Sequence, residues 1–138
     1  MSNIRSVIIG SGKYLPTNRR PNSYFENSTF YNADGSLFPA PSSEIVDKFF
    51  AITGIEERTV LAEDLMCSDM GALAAELAIK DAKIDKESIS QIIVAHNFGD
   101  LSTENVVPDM MPSLGARIKH KLGIKNEECV AYDIIFGC

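Results

Sequence analysis

Residues 130–138 read VAYDIIFGC, and this stretch decides how the chain folds. Apolar residues fall on both faces of an extended run, the pattern of a strand lying inside a parallel sheet. Phe136-Gly137-Cys138 then stands where such a strand turns into its covering helix. Parallel strands need crossover connections, so helices and a second strand are expected upstream.

The upstream sequence supplies them. Residues 90–96, SQIIVAH, form a second run that is apolar on both faces. Between the two runs Pro112 suits the first turn of a helix, Leu114, Ile118 and Leu122 make its apolar stripe, and Gly123 ends it. Further upstream Ser68 reads as the cap of a helix from Asp69 to about Lys83. Alanines at 72, 74, 75, 78 and 82 let that helix sit close to a sheet. Ser42 or Ser43 reads as the cap of another helix over 44–52, with Ile45, Phe49 and Ile52 at helical spacing and Gly54 as its stop. Residues 55–61 read as a short extended piece, and residues 4–10 as a first strand. Gly10-Ser11-Gly12 follows that strand, but Pro16 arrives where a helix would open, so the glycines read as a turn rather than a dinucleotide fingerprint. The order is strand, loop, helix, helix, strand, helix, strand, which makes an α/β fold. Residues 17–43, rich in Asn, Ser, Pro and Gly, read as a long irregular loop. Tyr24, Phe25, Phe30, Tyr31, Leu37 and Phe38 are expected to pack that loop onto the body or onto a partner chain.

The chain has 138 residues, 45% of them hydrophobic, and a formal net charge of -6. That is enough for one domain with a core, and the acidic balance argues against a nucleic-acid surface. Arg117, Lys119, His120 and Lys121 read as the solvated face of one helix. No apolar run approaches the ~20 residues of a membrane span, and no secretory signal is visible, so the protein is expected in the cytoplasm. Cys67, Cys129 and Cys138 fit neither a zinc pattern nor a disulfide framework.

Cys138 has two readings from its surroundings. A strand-to-helix turn would set its sulfur over a helix N-terminus, where the dipole and free amides favour the thiolate. A plain buried cysteine is the other. Cys129 reads as core, and Cys67 as mildly acidic from its place before a helix. Asp133 lies mid-strand among apolar residues and needs partners, with backbone amides near the turn as the expected ones. His96 ends a strand and His120 lies on a helix face; both read as structural or solvated. Glu56 and Glu57 read as solvated, and Arg58 as a partner for a carboxylate or phosphate.

Four stretches in order, IIGSGKYLP (8–16), TGIEERTV (53–60), MMPSLGARIKHKLGI (110–124) and AYDIIFGC (131–138), resemble the N-terminal portion of the β-ketoacyl-acyl-carrier-protein synthase III group of the thiolase superfamily. The resemblance covers nearly the whole chain apart from the 17–43 loop, which looks like an insertion. It implies a thiolase-like α/β fold, here the N-terminal half, with a mixed, centrally parallel sheet covered by helices. The C-terminal half would lie outside the 1–138 segment.

By the same resemblance Cys138 is the acyl-accepting nucleophile. An acyl thioester of coenzyme A or of acyl carrier protein is the implied substrate, with no resident cofactor or metal. A decarboxylative Claisen condensation with a malonyl carrier protein follows. The family's oxyanion-stabilising His and Asn lie in its C-terminal half, so the 138-residue chain alone is expected to be inactive. A homodimer or related heterodimer is implied.

Two departures stand out. Lys48 and Ile52 occupy the places where acetyl-coenzyme A users carry Trp and Arg, which turns the expected donor toward a carrier protein or a different nucleotide-holding loop. Met111 falls where the family often has a Phe reaching into the partner's acyl pocket, and an unbranched Met suits a longer or adaptable acyl channel. Arg58 belongs to the "TGI-x-x-R" segment and is a candidate substrate contact. The rival readings are acyl transfer without condensation, a non-catalytic dimer partner, and an α/β binding module.

Overall fold

The computed structural model describes residues 5–101 and 107–136. The chain divides into two compact units, one formed by Pro16–Ala62 and the other by the residues on either side of it.

In the flanking unit, strand β3 (Gln91–His96) pairs in parallel with β4 (Val130–Ile135). The register runs from Gln91 opposite Val130 to His96 opposite Ile135. The crossover contains helix α3 (Leu114–Lys121), which packs on both strands and on helix α2 (Cys67–Ala82). The expected parallel pair and its intervening helix are therefore present. Leu114, Ile118, Ile124 and Cys129 are buried in this unit, Leu114 being 1% exposed.

Several boundaries depart from the sequence expectation. Ser68 is not the cap of α2: the helix starts at Cys67, and the Met66 amide donates to Asp69 Oδ2 at 2.9 Å. Ser68 bonds elsewhere, as described below. Pro112 precedes α3, joined to Met111 by a cis peptide, and Ser113 is the N-cap, its Oγ accepting the Ala116 amide at 3.1 Å. A hydroxyl at that place satisfies an orphan donor that proline leaves unpaired. Among the described residues, 5–10 form no strand, and Ile8 is 93% exposed. An apolar run becomes a strand only beside a partner ladder, and none lies next to these residues.

That segment is instead fixed to α2 by its glycines. A Cβ at Gly12 would lie 2.2 Å from the Ala74 carbonyl oxygen, and one at Gly10 would lie 2.6 Å from the Ala82 nitrogen. The Ser11 amide donates to Asp81 Oδ2 at 2.9 Å. The alanine-rich helix does sit close against a neighbour, and that neighbour is the Gly10-Ser11-Gly12 backbone.

In the Pro16–Ala62 unit, β1 (Asn18–Pro21) pairs antiparallel with β2 (Glu57–Val60). The 17–43 segment is thus not irregular throughout, since it opens with β1 and a single 3-10 turn at Asn22–Phe25. The sequence NRRP has poor strand propensity. Cross-strand pairing and the Arg19–Glu57 ion pair hold it extended. Helix α1 (Ser42–Thr53) closes at Gly54, whose φ of 65° and amide bond to the Phe50 carbonyl make the expected stop. Ile45 and Val46 are its buried residues, whereas Phe49 and Ile52 of the expected stripe are largely exposed. Of the large apolar residues of this loop, Phe25 and Phe30 line a cavity with Val46 and Phe49, while Tyr24, Tyr31, Leu37 and Phe38 are exposed.

Candidate functional site

Asp133 sits at the centre of the parallel pair, and three donors meet its carboxylate. Its side chain turns to the α3 side of β4. Oδ1 accepts the Gly115 amide at 2.7 Å, and Oδ2 accepts the Leu114 amide at 2.7 Å. These are amides of the first turn of α3, which have no partner within the helix and carry its positive end. His96 Nε2 also meets Asp133 Oδ2, at 2.9 Å. His96 Nδ1 accepts the Gly99 amide at 2.9 Å. With Nδ1 occupied as an acceptor, the ring proton belongs on Nε2, pointing at the carboxylate. Both side chains are buried, at 6% and 7% exposure. Burial alone would push the Asp133 carboxyl up, but the Gly115 amide, the His96 ring and the Leu114 amide together hold it below the usual carboxylate range.

A second polar cluster anchors the segment between β3 and α3. Asp100, 2% exposed, accepts the Ser68 amide and the Ser68 hydroxyl, each at 2.8 Å. Arg117 reaches it from α3 at 3.2 Å and Asp109 at 2.8 Å. The same guanidinium donates to the Pro112 and Met111 carbonyls, each at 2.9 Å. Asp100 and Asp109 are joined by an antiparallel bridge. The Arg117 fork therefore ties both ends of the segment to α3. Asp100→Asn, which keeps the shape and removes the charge facing Arg117, is expected to lower unfolding free energy by about 2 kcal/mol. Guanidinium unfolding checks this, with Asp109→Asn as the exposed control of little effect.

The basic face of α3 is correspondingly only partly a solvated one. Lys119 donates to the Asn126 and Cys129 carbonyls at 2.8 and 2.7 Å, and Lys121 pairs with Asp69 at 2.5 Å. His120 and Lys121 are exposed, whereas Arg117 and Lys119 are half-buried.

Cys138, with Gly137, lies outside the described residues. The chain leading to it is described: the Phe136 amide donates to the His96 carbonyl at 2.9 Å, and Phe136 has a φ of 56°. A bulky residue takes that left-handed geometry only where its surroundings hold it. The backbone thus turns sharply off the end of β4, beside the end of β3.

Met111 is 82% exposed, immediately before the Arg117-held turn. Arg58 belongs to the other unit, where its Nη1 donates to Asn22 Oδ1 at 2.9 Å. Cys67 is not acidic: half-burial first, and then the charge of Asp100, push its thiol up. Among the described residues no group of His, Cys, Asp and Glu is arranged to hold a metal, and no helix is long and apolar enough to cross a membrane.

The His96–Asp133 pair and the Asp100–Arg117 cluster were not legible as sites. His96 and Asp133 are 37 residues apart and meet only through the β3–β4 register. The amide partners of Asp133 belong to α3, not to the turn after β4.

Comparison with known proteins bears on this frame. The chain is 36% identical over 134 residues to β-ketoacyl-acyl-carrier-protein synthase III 1 of Vibrio vulnificus, a match covering 96% of this chain and 35% of that protein. It is 38% identical over 118 residues to the β-ketoacyl-acyl-carrier-protein synthase III of Sulfurovum, covering 84% of this chain and 31% of that protein. The crystal structure of a Thermus thermophilus β-ketoacyl-acyl-carrier-protein synthase III superposes with a TM-score of 0.65 at 29% identity, over 96% of this chain and 34% of that one. No family model matches the chain. The chain thus spans about a third of the length of the curated relatives it matches.

Proposed function

We propose, for a chain that belongs to the β-ketoacyl-acyl-carrier-protein synthase III family over 96% of its length, that it supplies the nucleophile of a decarboxylative condensing enzyme. The Cys138 thiolate attacks the carbonyl of an acyl thioester, the C–S bond to Cys138 forms, and the donor thiol leaves. A malonyl thioester on acyl carrier protein then loses carbon dioxide. The resulting carbanion attacks the Cys138-bound acyl carbon and returns the thiolate. By the resemblance, the oxyanion-stabilising His and Asn belong to the family's C-terminal half. The chemistry runs on thioesters and calls for no resident cofactor. Lys48 and Ile52, both exposed on α1, stand against ordinary coenzyme A recognition and leave as donor a carrier protein or a coenzyme A held by a different loop.

The single observation that supports this reading most is the brace behind the turn. Asp133, five residues before Cys138, is locked by α3 and His96, and the chain leaves β4 through a left-handed residue. A nucleophile must be held within a fraction of an ångström, and a satisfied buried network does that for the strand carrying it. Mass spectrometry of the full-length protein after incubation with acyl thioesters of graded length tests it. The expected result is one acyl mass on the peptide containing Cys138, absent in Cys138→Ser. An unmodified Cys138 with every donor removes the nucleophile assignment. Met111, exposed at the Arg117-held turn, is proposed to border the acyl channel of a partner subunit in a dimer. Loading that extends well beyond acetyl is the expected outcome, and acetyl-only loading refutes it.

A further inference from the structure

The Pro16–Ala62 unit holds two arginines that nothing in it neutralises. Arg20 of β1 and Arg58 of β2 are direct cross-strand partners, both half-buried on the same face of the two-stranded sheet. Like charges directly opposite each other destabilise a pair of strands. Arg20 lies over the Tyr24 ring, 4.6 Å from its centroid, and Arg58 over the Phe25 ring at 5.5 Å. Among the described residues neither makes an ion pair. The acidic residue of these strands that does, Glu57, is exposed and bound to Arg19, away from the half-buried face. Arg58 forms the polar wall, with Asn22, of a cavity of about 270 Å³ otherwise lined by Phe25, Phe30, Val46 and Phe49.

An apolar, largely aromatic hollow with one guanidinium in its wall, and a second arginine directly across the strand pair from it, is complementary to a small molecule with an apolar body and an anionic oxygen head. We propose that this cavity binds a carboxylate with a short or medium apolar chain, the carboxylate oxygens taking N–H donors from Arg58, the charge of Arg20 across the strand pair adding to the attraction, and the chain lying among Phe25, Phe30, Val46 and Phe49. A single carboxylate would relieve the repulsion between the two arginines and supply the fork-shaped acceptor that guanidinium groups match best. The volume lies just below the roughly 300–1,000 Å³ of ordinary small-molecule sites, which limits the ligand to a compact body. This proposal does not rest on the Cys138 reading.

Titration calorimetry of the intact protein with sodium octanoate tests the assignment, with octanol as the body alone and inorganic phosphate as a head alone. Octanoate is expected to bind saturably with a Kd of about 1 mM or tighter, and both controls about tenfold more weakly or not at all. Octanoate is also expected to shift the aromatic NMR signals of Phe25 and Phe30. Arg58→Met removes the bond to Asn22 and risks the fold. Arg20→Met does not touch that bond, and with an unchanged circular dichroism spectrum it is expected to weaken octanoate about tenfold. The proposal is overturned by any of three results: no octanoate heat or Phe25 and Phe30 shift at about 5 mM, equal affinity for octanol, or undiminished affinity in folded Arg20→Met.

Discussion

Asp133→Ala is expected to cost about 4 kcal/mol of stability, among the largest effects of any substitution in the β3–β4 unit. The carboxylate satisfies two first-turn amides of α3 and orients the His96 ring from a buried position. Alanine leaves all three donors facing an apolar gap, and each unsatisfied buried donor costs about 1–3 kcal/mol. Asp133→Asn should fall between, because its NH2 group must face at least one of the same donors. Hydrogen exchange at the Leu114 and Gly115 amides is the direct measurement, and both should lose protection in Asp133→Ala. A loss below about 1 kcal/mol, with both amides still protected, would show that α3 is held by packing alone.

The same carboxylate sets an acid limit. Its folded value lies below the ordinary one of about 3.9, because the amide and ring donors outweigh the opposing effect of burial. The stabilisation is therefore present in full above pH ~4 and fades as pH falls through the lower folded value. Asp133→Asn should be less sensitive to acid across that window.

Gly12→Val should be comparably severe through sterics. The first atom of any side chain there would lie 2.2 Å from the Ala74 oxygen and 2.4 Å from the Ala78 nitrogen. Both obstacles are helix backbone, which does not rotate aside, so residues 10–12 must lift off α2. The expected loss is about 3 kcal/mol or more. Gly35→Ala makes the contrast: nothing lies within 4 Å of its Cβ position, and only its φ of 82° resists substitution. It should cost about 1 kcal/mol. Guanidinium unfolding of the two variants separates close approach from backbone strain, and equal losses would refute the packing role assigned to Gly12.

The parallel pair, the helix between its strands and the helix ending at Gly54 were legible in local pattern. Apolar runs free of turn residues make strands, here half-buried rather than covered on both sides, since Ile93, Tyr132 and Ile134 are exposed, and glycine at a left-handed position stops a helix. Where local cues failed, long-range partners had intervened. Ser68 has the side chain of a cap, yet its hydroxyl and amide both go to Asp100, 32 residues away. Arg117 and Lys121 have the spacing of a solvated face, yet acidic residues brought beside α3 take them up. NRRP has the composition of a turn, yet β2 supplies a ladder.

The sequence by itself determined the α/β order and, through four motifs in register, the family resemblance that implies Cys138 as the nucleophile. Only the tertiary structure decided what braces that residue's strand and where uncompensated charge remains. His96 meets Asp133, and Arg20 faces Arg58, through strand register. Register is set by side-chain packing and turn geometry across the whole unit, so no local window of sequence encodes it.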